Sequence, residues 1–154
     1  MKIHPAWRAL SVAAVAMVAF GLAWAWCSLG ERQEAASRRD HVRRVLDVDA
    51  DLVKADILAA RLAADFGELE WTARLRETTQ ALAAVAPLIQ QHKAARARER
   101  LAPIVAQADA PAVAHFLYGR ALIQLGETAA GEAEKAKARE LAPESPIFRR
   151  SEGR

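Results

Sequence analysis

Cysteine is nearly absent from this sequence. Cys27 stands alone, so no internal disulfide can form and the redox compartment stays unmarked. Trp26 precedes it, where a bacterial lipoprotein needs a small residue, which argues for a plain thiol at the end of an apolar helix. The four histidines, His4, His41, His92 and His115, lie far apart and lack ligand spacing to an acid or to Cys27. No serine sits in a nucleophile elbow, and the isolated glycines form no loop that would cradle a phosphate. These gaps argue against an enzyme, a metal site, a cofactor or a small-molecule substrate. One-sided charge is missing too. Lys and Arg number 22 against 19 Asp and Glu, a formal net charge of +3, and the signs are interspersed. A nucleic-acid binder usually gathers its basic residues on one face with aromatics between them, so nucleic acid is not expected as a partner. Finally, no segment alternates apolar and polar residues over a strand's length, so no sheet is expected.

What the chain has in quantity is alanine and leucine. Both lose little on entering a helix, and the expected fold is all-α. Residues 1–8 form a short basic tail with Lys2 and Arg8. From Ala9 to Leu29 no residue is charged, a run of about 21 residues, and about 20 cross a bilayer core of roughly 30 Å. Trp7 marks one end and Trp24 and Trp26 the other. Trp7 and Trp26 are separated by about 28 Å at a helical rise of about 1.5 Å per residue. Indole rings favour membrane–water interfaces, so residues 9–29 read as a transmembrane signal anchor with Trp7, Trp24 and Trp26 at its edges. Ala23-Trp24-Ala25 also fits the small-x-small pattern of a cleavage site, but the run is long for a signal peptide. The small-xxx-small pairs Ala9/Ala13, Ala19/Ala23 and Gly21/Ala25 would let a second membrane helix come close. For sidedness the signals conflict. Arg32, Arg38, Arg39, Arg43 and Arg44 close behind the span favour a cytoplasmic C-terminal domain, while the basic start followed by an apolar span has the layout of an exported, signal-anchored protein. The expectation adopted is a single-pass protein of the inner membrane with its C-terminal domain in the periplasm.

Residues 30–46 are a charged juxtamembrane segment, read as a solvated helix face rather than a contact for anionic lipid. Asp47, Asp49 and Asp51 have the start of a calcium-loop spacing. Leu52 then stands where the loop needs glycine and Leu58 where it needs glutamate, so the acids are assigned to a helix start. A helical domain is expected over 47–143. Its first hairpin has Leu52, Ala55, Leu58 or Ala59, and Leu62 on one stripe, a break at Phe66-Gly67-Glu68, then a helix from Glu70 to Val85 with Trp71, Leu75, Thr78 or Thr79, and Leu82 on one face. Pro87 suits the first turn of a helix over 88–109, which Pro103 should kink. The second hairpin, VAHFLYGRALIQLGETAAGEAEKAKARELAP over 113–143, turns at Gly126-Glu127 and stops before Pro143. Residues 144–154 should be a flexible tail unless Ile147 and Phe148 fold back as a cap.

The second hairpin resembles a tetratricopeptide repeat. Tyr118-Gly119 matches the large–small pair of the first helix, Leu122 the next large position, Gly126 the turn, Ala138 the late small residue, and Leu141 with Pro143 the closing pattern. Gly131 replaces the usual alanine, and Lys135 occupies a place normally aromatic. The Leu58–Leu82 hairpin is a looser match, and the turns at Gly67 and Gly126 are not a whole number of repeats apart. The resemblance implies a domain that holds another protein, a peptide or helix lying against the first helix of each repeat. On this chain those positions are Val113, Phe116, Arg120, Ile123 and Gln124, with Lys54, Ile57, Arg61 and Asp65 from the looser hairpin. Two functions fit: a membrane-anchored scaffold or assembly factor of an envelope complex, or a single-span accessory subunit of a larger membrane complex. A third, a maturation factor of the methanol dehydrogenase accessory type, is implied by ADILAARLAADFGELE and HFLYGRALIQLGE, which are similar in style to small membrane-anchored proteins encoded with methanol dehydrogenase maturation factors.

Overall fold

A computed structural model describes the backbone of residues 5–67 and 70–149, and the side chains of residues 17, 18, 20–67 and 70–148. All the regular structure among the described residues is helical. The chain divides into two units, Met1–Ser37 and Arg38–Arg154.

The first unit is the N-terminal part of one long helix, α1 (Pro5–Arg44). Gly30 does not interrupt it, so the segment read from sequence as a separate juxtamembrane piece continues the same helix. Every large apolar side chain described between Met17 and Leu29 is exposed, up to 72 % for Trp24 and 80 % for Trp26. Among the described residues no helix is long and apolar enough to cross a membrane. Trp7 and the first half of the expected span, residues 9–16, lie outside the described side chains.

The second unit begins on the last turns of α1. The helix widens into a π-helical turn, Val45–Asp49, and stops at Ala50, whose φ of 49° puts it in the left-handed region. The three aspartates then separate. Asp51 caps α2 (Leu52–Phe66) by accepting a hydrogen bond from the Lys54 amide at 2.9 Å. Asp47 accepts from the Ala112 amide at 2.7 Å and so serves the start of a distant helix, α5 (Ala112–Gln124). Asp49 stays exposed. Gly67, with φ +80°, breaks the chain after α2, and α3 runs from Glu70 to Gln90.

Here the sequence reading needs correction. Pro87 opens no helix; it lies inside α3, which continues to Gln90. The break falls at His92, with φ 56°, where the His92 amide bonds back to Ile89 and the Lys93 amide to Leu88. That is the crossed pair of bonds that ends many helices, here built on histidine rather than glycine. α4 (Ala94–Val105) follows, with Pro103 in its last turn, then α5 (Ala112–Gln124). α5 ends with the same bond pattern built on Gly126 at φ +88°: the Glu127 amide reaches Leu122 and the Gly126 amide reaches Ile123. α6 spans Thr128–Leu141 and α7 Pro146–Arg149.

α5 is the middle of this unit. It packs against α3, α4, α6 and the π turn, while α2 packs on α3. The core is built from Leu46, Leu82, Val85, Ile89 and Leu101 with the buried residues of α5. Of the two residues named for a C-terminal cap, Phe148 folds back and Ile147 stays exposed. Phe148 is buried, its ring centroid 5.1 Å from that of Phe116, and the Ser145 hydroxyl donates to the Val48 carbonyl at 2.8 Å. Residues 150–154 lie outside the described part.

Candidate partner-binding surfaces

The α5–α6 hairpin closes on two glycines. A Cβ on Gly119 would lie 2.5 Å from the carbonyl oxygen of Gly131, and one on Gly131 would lie 2.6 Å from the carbonyl oxygen of Gly119. The helices therefore touch backbone to backbone, which accounts for glycine rather than alanine at 131. Lys135 fills its place with its stem: it is buried beside Gly119, and its ammonium reaches Glu132 at 2.9 Å. His115 is also enclosed in this contact, its Nδ1 2.7 Å from a carboxylate oxygen of Glu134.

So tight a hairpin leaves little of α5 open. Val113 and Phe116 are buried, Phe116 at 9 % exposure, and line no accessible surface. Ile123 is half-buried against Gly131. Gln124 is on the surface, but its amide donates to the Ile89 carbonyl at 3.1 Å and ties α5 to the end of α3. Arg120 alone of the five is exposed with no such tie described. The positions carried over to α2 fare differently. Lys54, Ile57, Arg61 and Asp65 are all exposed. Asp65 accepts a hydrogen bond from Arg38 at 2.5 Å. Val53 at 69 % and Ile57 at 50 % exposure stand one turn apart and, with Ala60 and Ala64, form an uncovered apolar strip at helical spacing. Trp24 and Trp26 are exposed on the first unit.

A second surface was not read from the sequence. Within the second unit a cleft of about 600 Å³ opens between the last turns of α1 and the first half of α3. Arg39 and Arg43 form one wall, while Trp71, Arg74, Leu75 and Thr78 form the other. Leu46 lies at the bottom, fully buried, and residues 107–109 with Pro111 close one end. The volume falls within the range of ligand-holding clefts, about 300–1,000 Å³. Arg43 is tied across the fold, donating to the Asp109 carbonyl at 2.5 Å, while the other two arginines are held loosely. Arg74 pairs with Glu70 one turn away, and Arg39 is 3.8 Å from its neighbour Asp40. Next to the cleft, burial pushes the Asp47 carboxyl above its ordinary value, against the Ala112 amide, Arg43 and the Val113 amide, which pull it down.

Two signals for this cleft were present in the sequence. Arg39 and Arg43 are spaced for one helix face, and Trp71 is the one tryptophan outside the N-terminal segment. The sequence pattern puts Trp71, Leu75, Thr78 or Thr79, and Leu82 on one helix face. The structure divides it: Thr79 and Leu82 are buried in the core, and the other three edge the cleft.

No protein-family model, curated protein or solved structure matches this chain.

Proposed function

We propose that this chain is a membrane-tethered, non-catalytic scaffold. A stack of helical hairpins in the style of a tetratricopeptide domain holds another protein, and the N-terminal part of α1 fastens it to the inner membrane. The observation that carries this reading is the uncovered apolar length of α1. Met17, Val18, Phe20, Leu22, Trp24, Trp26 and Leu29 are all exposed, around a helix that has no charged residue from Ala9 to Leu29. Side chains of that size, left bare, need a medium as oily as themselves, and a bilayer supplies it along with the interfaces that tryptophan prefers. Anchoring confines the search for a partner to one surface and raises effective concentration. The second unit contributes the open strip of α2 and the arginine-edged cleft, both surfaces rather than enclosed chambers.

The membrane claim is tested by alkaline carbonate extraction of cells producing the full chain. The protein is expected in the pellet, and release into the supernatant would overturn the tether. A reporter at the C-terminus that is active only in the periplasm is expected to be active. A second test removes residues 1–37. A scaffold domain should remain monomeric and unfold cooperatively. Aggregation of residues 38–154 would instead favour the accessory-subunit reading, in which other subunits cover the Val53–Ile57 strip.

A further inference from the structure

We propose that the cleft between the end of α1 and α3 takes an acidic peptide segment from a partner protein, with one large apolar side chain on its floor and carboxylates against its arginines. The proposal rests on the scaffold reading above and names the chemistry of what is held.

Three features converge on that occupant. The first is shape. The cleft is a concavity of about 600 Å³ within one folded unit, so a side chain can enter it and a flat sheet of lipid headgroups cannot reach its base. The second is the floor. Leu46 and Pro111 are buried beneath it and offer no surface of their own, so the apolar seat is made by Trp71 and Leu75 lying over them. Trp71 and Leu75 are half-buried, one turn apart on α3, and covering them would remove further apolar surface from water. The third is charge. Arg39 and Arg43 on one wall face Arg74 on the other, against Glu77 and Asp109 on the lining. A guanidinium has five donors in a fixed fork suited to carboxylate. The present partners of Arg39 and Arg74 are neighbours on their own helices, exposed pairs worth little, so both arginines are free to change partners at small cost. Glu77 and Asp109 further favour a single segment over an anionic membrane surface. A peptide can place its carboxylates on the arginines and away from these two acids, while a plane of like charge meets all five groups together.

The test uses the full chain in phosphatidylcholine nanodiscs. Trp7, Trp24 and Trp26 are changed to Phe, so that Trp71 is the only indole. Random 12-residue peptides are selected against it, and synthetic copies of the enriched sequences are titrated while Trp71 emission is followed. The enriched peptides are expected to carry Asp or Glu flanking one large apolar residue and to shift the emission to shorter wavelength. Their affinity should fall at least tenfold in Arg39→Gln/Arg74→Gln, a pair chosen because neither arginine ties two helices together. Replacing the acids of the peptide by Asn or Gln should cost as much. Peptides without acids, no enrichment, or binding indifferent to the arginine pair would overturn the proposal. So would the same emission shift from phosphatidylglycerol nanodiscs with no peptide present, which would reassign the cleft to lipid. None of these outcomes bears on carbonate extraction or on the folding of residues 38–154, so failure here leaves the scaffold reading to its own tests.

Discussion

The two hairpins of the second unit are built to opposite rules. α5–α6 joins a highly apolar helix to an alanine-rich one through mutual contact of Gly119 and Gly131, and α5 is buried on nearly every side. α2–α3 joins through Ala55, Ala59, Leu62 and Ala63 on one helix and Thr72, Thr79 and Leu82 on the other, with the outer face of α2 left bare. Both turn at a glycine with positive φ, and both carry the same kind of stripe in sequence. What separates them is position: α5 has neighbours on four sides and α2 packs mainly on one. The helix with more oil becomes the centre, and the one with less keeps an open face. A groove assigned by family pattern to the first helix of each hairpin therefore lands on open surface at Ile57 and inside the core at Phe116.

Adding a side chain at the glycine contact should hurt most. Gly119→Val places a branched group where a single Cβ already comes within 2.5 Å of backbone. Backbone cannot turn aside as a side chain can, so the helices must separate. A loss of about 4 kcal/mol is expected, at the severe end of single substitutions. Gly67→Ala has open space around it and suffers only from its φ of +80°, at about 1–3 kcal/mol. Urea denaturation of both variants reads the difference directly. A loss at Gly119→Val no larger than the strain at Gly67→Ala would mean that the α5 and α6 backbones are not in contact.

Truncating the two predicted groove residues gives the next contrast. Phe116→Ala removes a buried ring that contacts Phe148 and should cost about 3 kcal/mol. Ile57→Ala, on the open strip, should change stability by no more than about 0.5 kcal/mol. If Phe116→Ala were as mild as Ile57→Ala, α5 would be accessible after all.

These contrasts show where the sequence was legible. The helical class follows from Ala and Leu, and both glycine turns were marked because only glycine enters φ near +80° freely. The break at His92 was not marked, since a histidine there carries no turn signature, and Pro87 drew the boundary to itself. The depth of Val113 and Phe116 depends on α3, α4 and α7 packing from outside the hairpin, which no local pattern records. The cleft was hidden for the same reason: Trp71 and Arg43 line it from helices that meet only in the fold. Lys135 shows the converse: a charged residue inside the hairpin became intelligible once its stem was seen packed beside Gly119.

Helix starts offer a smaller comparison. α2 has a side-chain cap in Asp51, whereas Lys93 and Glu127 supply none at α4 and α6. Asp51→Ala should cost about 1 kcal/mol, and alanine at Lys93 should cost far less, as urea midpoints would report. Equal effects would mean that the Asp51 carboxylate contributes nothing as a cap.

Asp47 is the second aspartate of that cluster, and its effect is the smallest, so its sign is the test. Burial raises its carboxyl above the ordinary value of 3.8, and the amides of Ala112 and Val113 with Arg43 only partly offset that. A raised value means that the folded state holds the proton more tightly than the unfolded chain. Stability then falls as pH rises from the ordinary carboxylate range through the raised one, and levels off once the group is ionised in both states. Asp47→Asn keeps an oxygen to accept the Ala112 amide but cannot ionise. Relative to the parent, the variant should therefore gain stability as pH rises above the ordinary carboxylate range, with no further gain once Asp47 is ionised in both states. Paired urea titrations across that rise would measure it, and a variant that instead loses ground as pH rises would mean that Arg43 and the α5 amides outweigh burial at this carboxylate.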